Sequence, residues 1–341
     1  MDKKETVQTA AQSTKKSSEW FFGMSGLQTF IAAAVIVVAF CLTPKALVST
    51  YVKGIVVSGL IYALATLGIN FYSGYLGETS LGHAAFFGIG AYMTGYLTVR
   101  SGFNFWVTIP LGMIAAALAS VPMAFAGRRV KGSFMVVITY AFSEILRYVA
   151  VNSNELGSTQ GIPGIKAPTI FGMKVSKVPF LPTNKDGFIL ILFLLVSFCA
   201  WFTWRYIHSR EGYAVSAIRE DEIAAEAMGI DVKWYKLKTI LISAAICSVA
   251  GSFYASIYNL VDPSLLSATL SINIFTMLVI GGRRSIKGAI LGAMIVVALP
   301  EILRLVQGLL KLPFDPWYIL YGLMLIVIMR FKPEGLFGVK D

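Results

Sequence analysis

Apolar residues in this chain alternate with polar ones at neither the strand period nor the period of a half-buried helix. They gather instead in unbroken runs of roughly 18–22 residues. Wound as an α-helix rising 1.5 Å per residue, such a run crosses a hydrocarbon core of about 30 Å. The runs fall at 25–43, 53–72, 83–99, 105–126, 132–151, 187–206, 238–258, 267–282, 288–307 and 315–330. The pattern predicts an all-α integral membrane protein of about ten transmembrane helices. The third run is rich in glycine and the eighth is short and carries Asn273. For those two, a re-entrant segment beside eight or nine true spans is an open alternative.

The same pattern divides the chain. Residues 1–24 form a polar tail with Lys3, Lys4, Lys15 and Lys16, residues 25–331 a polytopic domain, and residues 332–341 a short C-terminal tail. Phe40 is too bulky for a small-residue cleavage site, so the first run reads as a retained span rather than a signal peptide. Two connections are long. Segment 152–186 is shaped by glycines and prolines such as Gly157, Gly161, Pro163 and Gly164, whereas 207–237 is charged and helical.

Composition sharpens the class. Only 14% of residues are charged and 56% are hydrophobic, where a soluble domain carries about 25% charged residues. The net charge of +11 would suit nucleic acid or anionic lipid, but the basic residues sit in short clusters between apolar runs. With the N-terminus inside, nineteen of the 29 Lys and Arg fall on inner segments and eight on outer ones, with Arg147 and Arg304 inside spans. That asymmetry predicts both termini in the cytoplasm. The cysteines Cys41, Cys199 and Cys247 each lie in an apolar run and read as packing residues, not as a disulfide or metal framework.

Several motifs carry candidate chemistry. In Gly74–Tyr92, Ser80 is placed to cap a helix starting near Leu81, and Ala84/Gly88 and Ala91/Gly95 are small pairs four apart that admit a close neighbour. Glu78 and His83 are ionisable groups at the membrane edge, candidates for the substrate path or for simple capping and packing. Glu144/Arg147 and Glu301/Arg304 are three apart, so each pair can neutralise itself or line an outward vestibule. Each pair follows a basic cluster, Arg128–Lys131 or Arg283–Lys287, after a similar interval. The echo reads as a parallel internal repeat, with chance similarity of short pieces as the rival reading. The substrate-path candidates are thus Glu78, Ser80, His83, Glu144 and Glu301.

Within 207–237, Arg219, Glu220, Asp221, Glu222 and Glu226 form a charged stretch, and Gly229 ends the helix. Ile218, Ala225 and Met228 fall near one face and supply an apolar anchor, suiting a helix that docks into a cytoplasmic motor. No GxxxxGK[ST] loop, HExxH or Cys/His cluster occurs, so neither ATP binding by a P-loop nor catalysis is expected of this chain.

At these residues the chain resembles the LivM-type permease subunits of branched-chain amino-acid ABC importers, over roughly 50–340. The resemblance rests on SGY-G-SLGHAAFFGIGAY at 73–92, Gly157–Ile165, AIREDEIAAEAMGI at 217–230 and Lys332–Gly338. Glu78 stands where the family usually has Gln, and Ile223 takes the Glu position of the EAA motif found in other ABC importers. The resemblance implies an ATP-driven permease for leucine, isoleucine and valine, working with a second, LivH-like permease subunit. Two cytoplasmic ATPase subunits would bind ATP and magnesium, this chain holding no cofactor, and an extracytoplasmic solute-binding protein would deliver the solute. Relatives that move urea or short amides, and an ion-coupled secondary transporter, are the alternatives. The expected topology is checked with single cysteines: one at Thr169 should react with a membrane-impermeant maleimide from outside intact cells, and one at Ser216 should not.

Overall fold

The computed structural model describes residues 37, 49–127, 133–170, 173–174 and 185–310, and, near the C-terminus, 322–323, 326, 330–332 and 335–338. The expected spans 25–43 and 315–330, the tail 1–24 and the cluster Arg128–Lys131 lie wholly or largely outside these residues, as does Cys41. The described chain is helical. Helix α1 is Thr50–Ile69, continued by a π-helical turn Asn70–Tyr75; α2 is His83–Val99, α3 Phe105–Gly127 and α4 Ser133–Asn152. After 152–185 come α5 (Asp186–Ile207), α6 (Arg210–Glu220), α7 (Glu222–Ala227), α8 (Val232–Tyr258), α9 (Ala268–Gly281) and α10 (Ile286–Leu310). Among the described residues, strands are limited to two-residue pairings: β1 (Ile162–Pro163) with β4 (Leu260–Val261), and β2 (Thr169–Ile170) with β3 (Met173–Lys174).

Among the described residues, six helices are long and apolar enough to cross a bilayer: α1 with its π turn, α3, α4, α5, α8 and α10. The runs expected at 83–99 and 267–282 become the shorter helices α2 and α9, of 17 and 14 residues. The most apolar window of α8 is 72% buried and that of α1 67%, against 22% for α4. Helices α1 and α8 therefore form the centre, and α4 turns most of its surface outward. They run antiparallel: Ser58 meets Tyr258 through their hydroxyls at 2.7 Å, the Cys247 thiol meets the Ala65 carbonyl, and the Ser243 hydroxyl donates to Gly68 O at 2.7 Å.

Helix α2 lies parallel to α8 and approaches it closely. A side chain at Gly90 would run into the Ser248 backbone, and one at Gly251 into the Phe87 carbonyl. Small residues allow this contact, and hydroxyls occupy it: Ser252 Oγ donates to Gly90 O at 3.2 Å. The pairs expected to admit a helix act differently, since Gly88 faces Leu265 and Leu266 and Gly95 faces Ile165 and Val261, all in connecting segments. Lys53, the first residue of the expected run 53–72, lies inside α1 and pairs with Asp186 at 2.8 Å, both side chains fully buried.

One end of the bundle carries Glu78, Arg219, Lys236 and the α9–α10 turn. There Asn70 Nδ2 donates to Ser285 O, its Oδ1 accepts from Arg284 N, and Tyr75 OH donates to Arg284 O, so the π turn latches this connection. Leu336 N and Phe337 N donate to Ile280 O and Gly281 O, tying the C-terminal segment to the same place. The opposite end carries 154–166 and Asp262. Gly251→Val is expected to destabilise the purified protein by about 2 kcal/mol, because the added carbons strike a backbone carbonyl that cannot retreat. Thermal unfolding in detergent measures this, and substitution of Gly322, which has open space and no positive φ, is the control for general sensitivity.

Candidate functional site

Helix α2 begins inside the bundle. His83 Nε2 lies 2.8 Å from Ser243 Oγ, and Ser243 is eleven residues into α8, about 16 Å from its start. Free N–H groups at such a start cannot reach water, so protein must meet them. Leu81 N donates to Thr139 Oγ1 at 3.0 Å and Ala84 N to Ser271 Oγ at 2.9 Å. Ser80 is not the N-cap expected from the sequence. The helix starts two residues later, at His83 after Gly82, and Ser80 Oγ instead accepts from Gly82 N and bonds His83 Nδ1 at 3.0 Å. Ser80, His83, Ser243 and the Gly68 carbonyl thus form one buried chain of hydrogen bonds. It pins α2 between α1 and α8, with His83 wholly buried.

Helix α9 also starts inside, from the other end. Ala268 N donates to Glu144 Oε1 at 3.1 Å, and Ser143 Oγ donates to Leu266 O at 2.8 Å. Ser267 caps the helix by accepting from Leu270 N. Helix α4 therefore serves both internal starts, through Thr139 for α2 and through Ser143 and Glu144 for α9. Glu144 also binds Arg147 Nε at 2.7 Å, so the pair foreseen in the sequence forms and the guanidinium is fixed beside α9. There it borders a cavity of about 680 Å³ whose walls include Tyr62, Arg147, Tyr254, Asp262, Leu265 and Leu270. The cavity lies toward the 154–166 end, in the size range of small-molecule sites. Of the expected path residues, Glu144 stands behind its wall. Glu78, Ser80, His83 and Glu301 are elsewhere: Glu301 accepts from Tyr51 and lies 3.5 Å from Arg304 on the flank of α10.

Glu78 lies at the basic end. Lys236 Nζ reaches Glu78 Oε1 at 2.8 Å and Glu222 Oε1 at 3.1 Å, and the Arg219 side chain lies over Gly77. The segment leading to the internal start of α2 is thus clamped to α7 through one lysine. Burial lowers the Arg283 pKa from its usual value, and its guanidinium lies 5.1 Å from the Phe275 ring. The single helix expected over 217–229 is two. Asp221 leaves helical geometry at φ −153° and accepts from Ile223 N and Ala224 N, ending α6 and capping α7. Gly229 does terminate the element: it sits at φ +85°, donates to Glu226 O, and Ile230 N reaches back to Ala225 O. The expected three-residue anchor does not form, because the second helix ends at Ala227 and Met228 is its C-cap, outside the regular helical face. Ile218 and Ala225 are 5% and 4% exposed and pack inward, while Met228 and Ile223 are 83% and 74% exposed.

The family model for the permease component of branched-chain amino acid transport systems matches residues 51–329. The chain belongs to this family. The match spans every helix that builds the internal starts, the cavity and the Lys236 clamp. The permease is 30% identical over 295 residues to the high-affinity branched-chain amino acid transport system permease protein LivM of Escherichia coli, covering 81% of this chain and 68% of that one. It is 26% identical over 325 residues to a probable LivM of Methanocaldococcus jannaschii, covering 82% and 91%. It is also 25% identical over 302 residues to the permease protein LivH of Escherichia coli, covering 82% and 92%. No solved structure matches the chain.

Sequence reading of this permease passed over Asp262, Lys236, Thr139 and Ser243. The serines of α8 carried a signal, since Ser248, Ser252 and Ser256 recur at the helical spacing of a buried face. Lys236 carried none, because its two carboxylates come from segments distant in sequence. Lys236→Met leaves Glu78 and Glu222 facing each other and is expected to cost about 2 kcal/mol. In a Glu222→Gln background the loss should shrink, and thermal unfolding of the four proteins measures the difference.

Proposed function

We propose that this chain is the LivM-type permease subunit of an ABC importer carrying leucine, isoleucine and valine across a bacterial inner membrane by ATP-driven alternating access. The observation that carries this reading is the family match over 51–329, in a chain whose helices border a cavity of small-molecule size. A LivH-like chain would supply the other half of the pathway, since this chain resembles both LivM and LivH. Two ATPase subunits would bind nucleotide and magnesium, and a solute-binding protein would deliver the amino acid at the 152–186 side. In this reading the polytopic domain 25–331 has ten spans, α2 and α9 included, with the tails 1–24 and 332–341 and the basic end in the cytoplasm. That α4 and α10 run in the same direction is in keeping with a parallel repeat built on Arg128–Lys131 and Arg283–Lys287.

Helices α6 and α7, within 207–237, would then meet the ATPase. The surface they offer is led by Ile223 and Met228, with Glu220, Asp221 and Glu226 beside them and Gly229 at the end, while Arg219 and Glu222 turn toward the permease itself. Closure of the motor against α7 would pass through Lys236 to Glu78 and the internal start of α2. Met228→Glu places an unpaired charge on that surface and is expected to abolish ATP-dependent leucine uptake in proteoliposomes holding the whole complex, with reduced co-purification of the ATPase. Ala225→Glu strikes the packing under α7 and should instead lower the yield of folded permease. Leucine uptake driven by an ion gradient without ATP would overturn the reading in favour of a secondary transporter.

A further inference from the structure

The cavity beside α9 holds opposite charges on separate elements. Arg147 stands on α4, and its bond to Glu144 uses Nε, leaving its terminal nitrogens without a hydrogen bond among the described residues. Asp262 stands in the connection before α9, where Oδ1 accepts from Ser264 N at 2.7 Å and Oδ2 takes no hydrogen bond among the described residues. Both side chains border the same space, together with Tyr62, Tyr254, Leu265 and Leu270. Tyr62 is fixed by stacking on Phe87, its ring 6.1 Å away, and Tyr254 by an edge contact with the same ring at 5.6 Å. Glu144, held by the Ala268 amide, sets where the guanidinium points. A cavity with a guanidinium, a carboxylate and an aliphatic–aromatic wall matches a solute that carries an anion, a cation and an apolar branch.

We propose that Arg147 and Asp262 are the two poles of a transient zwitterion site in this permease. The Arg147 terminal nitrogens receive the α-carboxylate, the free oxygen of Asp262 receives the α-ammonium, and Leu265 and Leu270 lie beside the aliphatic side chain. Glu144 is a positioning residue. The site rests on the amino-acid reading above and refines it, because a neutral solute such as urea would bring no cation to the Asp262 carboxylate and no anion to the terminal nitrogens of Arg147. Binding is weak because the cycle requires it: a solute handed over by a binding protein must also leave.

The test uses the assembled complex without binding protein, carrying Thr269→Cys in the cavity wall and titrated with a maleimide. An excess of free leucine is expected to slow labelling of the introduced thiol specifically, whereas leucinamide and 4-methylpentanoate, each lacking one pole, should need at least about tenfold higher concentration. Asp262→Asn keeps the acceptor for Ser264 N and removes only the charge. It should abolish protection by leucine and cut leucine uptake at least about tenfold, while stimulation of ATP hydrolysis by loaded binding protein persists. Arg147→Lys keeps the charge beside Glu144 and should give an intermediate loss. Equal protection by leucinamide or 4-methylpentanoate, or unchanged protection in Asp262→Asn, overturns the site. So does loss of ATPase stimulation in Asp262→Asn, which would assign that carboxylate to docking of the binding protein. If the complex without the Asp262 substitution, given ATP and loaded binding protein, takes up no leucine at all, the amino-acid reading fails, an outcome separate from failure of the site.

Discussion

Helices α2 and α9 start within the bundle, and hydrocarbon offers their first N–H groups no partner. The protein meets that demand with side chains, Ser271 of α9 for the Ala84 amide and otherwise chiefly those of α4. Thr139, Ser143 and Glu144 of α4 reach the entry to α2, the turn before α9 and the first amide of α9. Much else follows from this. Because Glu144 must cap α9, Arg147 one turn further on is drawn to its carboxylate and stands at the cavity wall. Because α2 starts inside, its first residues meet α1 and α8 through His83 and Ser243, and the glycine-lined contact at Gly90 and Gly251 follows. The internal starts also aim the positive ends of two helix dipoles into the protein, where polar side chains rather than lipid surround them.

The charged end depends on the same arrangement. The segment from Tyr75 to Gly82 must return from the end of α1 to a start inside the bundle, and Glu78 lies on that path. Lys236 stands early in α8, where the backbone is still near the surface, and bridges Glu78 to Glu222 with side chains 10%, 17% and 28% exposed. Removing one partner from a bridge with that little water costs more than removing one from a surface pair, because the charge left behind is poorly solvated. The bridge joins the short helix α7 to the segment that leads into the internal start of α2. A displacement of α7 therefore has a direct route into the bundle.

Which motifs matter was legible before the fold was known, and why they matter was not. Residues 73–92 stood out, as did Glu144/Arg147 and 217–230. The Glu144/Arg147 pair was read correctly because a spacing of three in a helix is a local matter. Gly229 was legible for the same reason, since positive φ after a helix is a property of a few residues. Ser80 was misplaced by two positions because the start of α2 is set by Thr139 and Ser271, remote in sequence. The face of 217–229 was misread because periodicity tells neither where a helix ends, here at Ala227, nor whether its apolar side meets a partner or the chain's own core. Asp221, taken as one more charge, has a side chain that captures the Ile223 and Ala224 amides and turns the second half away from the first. Of the expected anchor, Ile218 and Ala225 face inward and Met228 stays exposed, beside an equally exposed Ile223.

The sequence by itself determined the class: hydrophobic runs of bilayer length, basic residues between them, and short motifs that place the chain in its permease family. These are additive properties of consecutive residues, and the hydrophobic effect reads them without reference to the rest of the chain. The tertiary structure alone decided which runs are full spans and which begin within the bundle, and where Lys236 finds its carboxylates. It also decided that Arg147 and Asp262, 115 residues apart along the chain, border one cavity. Such pairings have no local signature, because a buried charge or amide accepts whichever partner the packing of the helices delivers, from any distance along the chain.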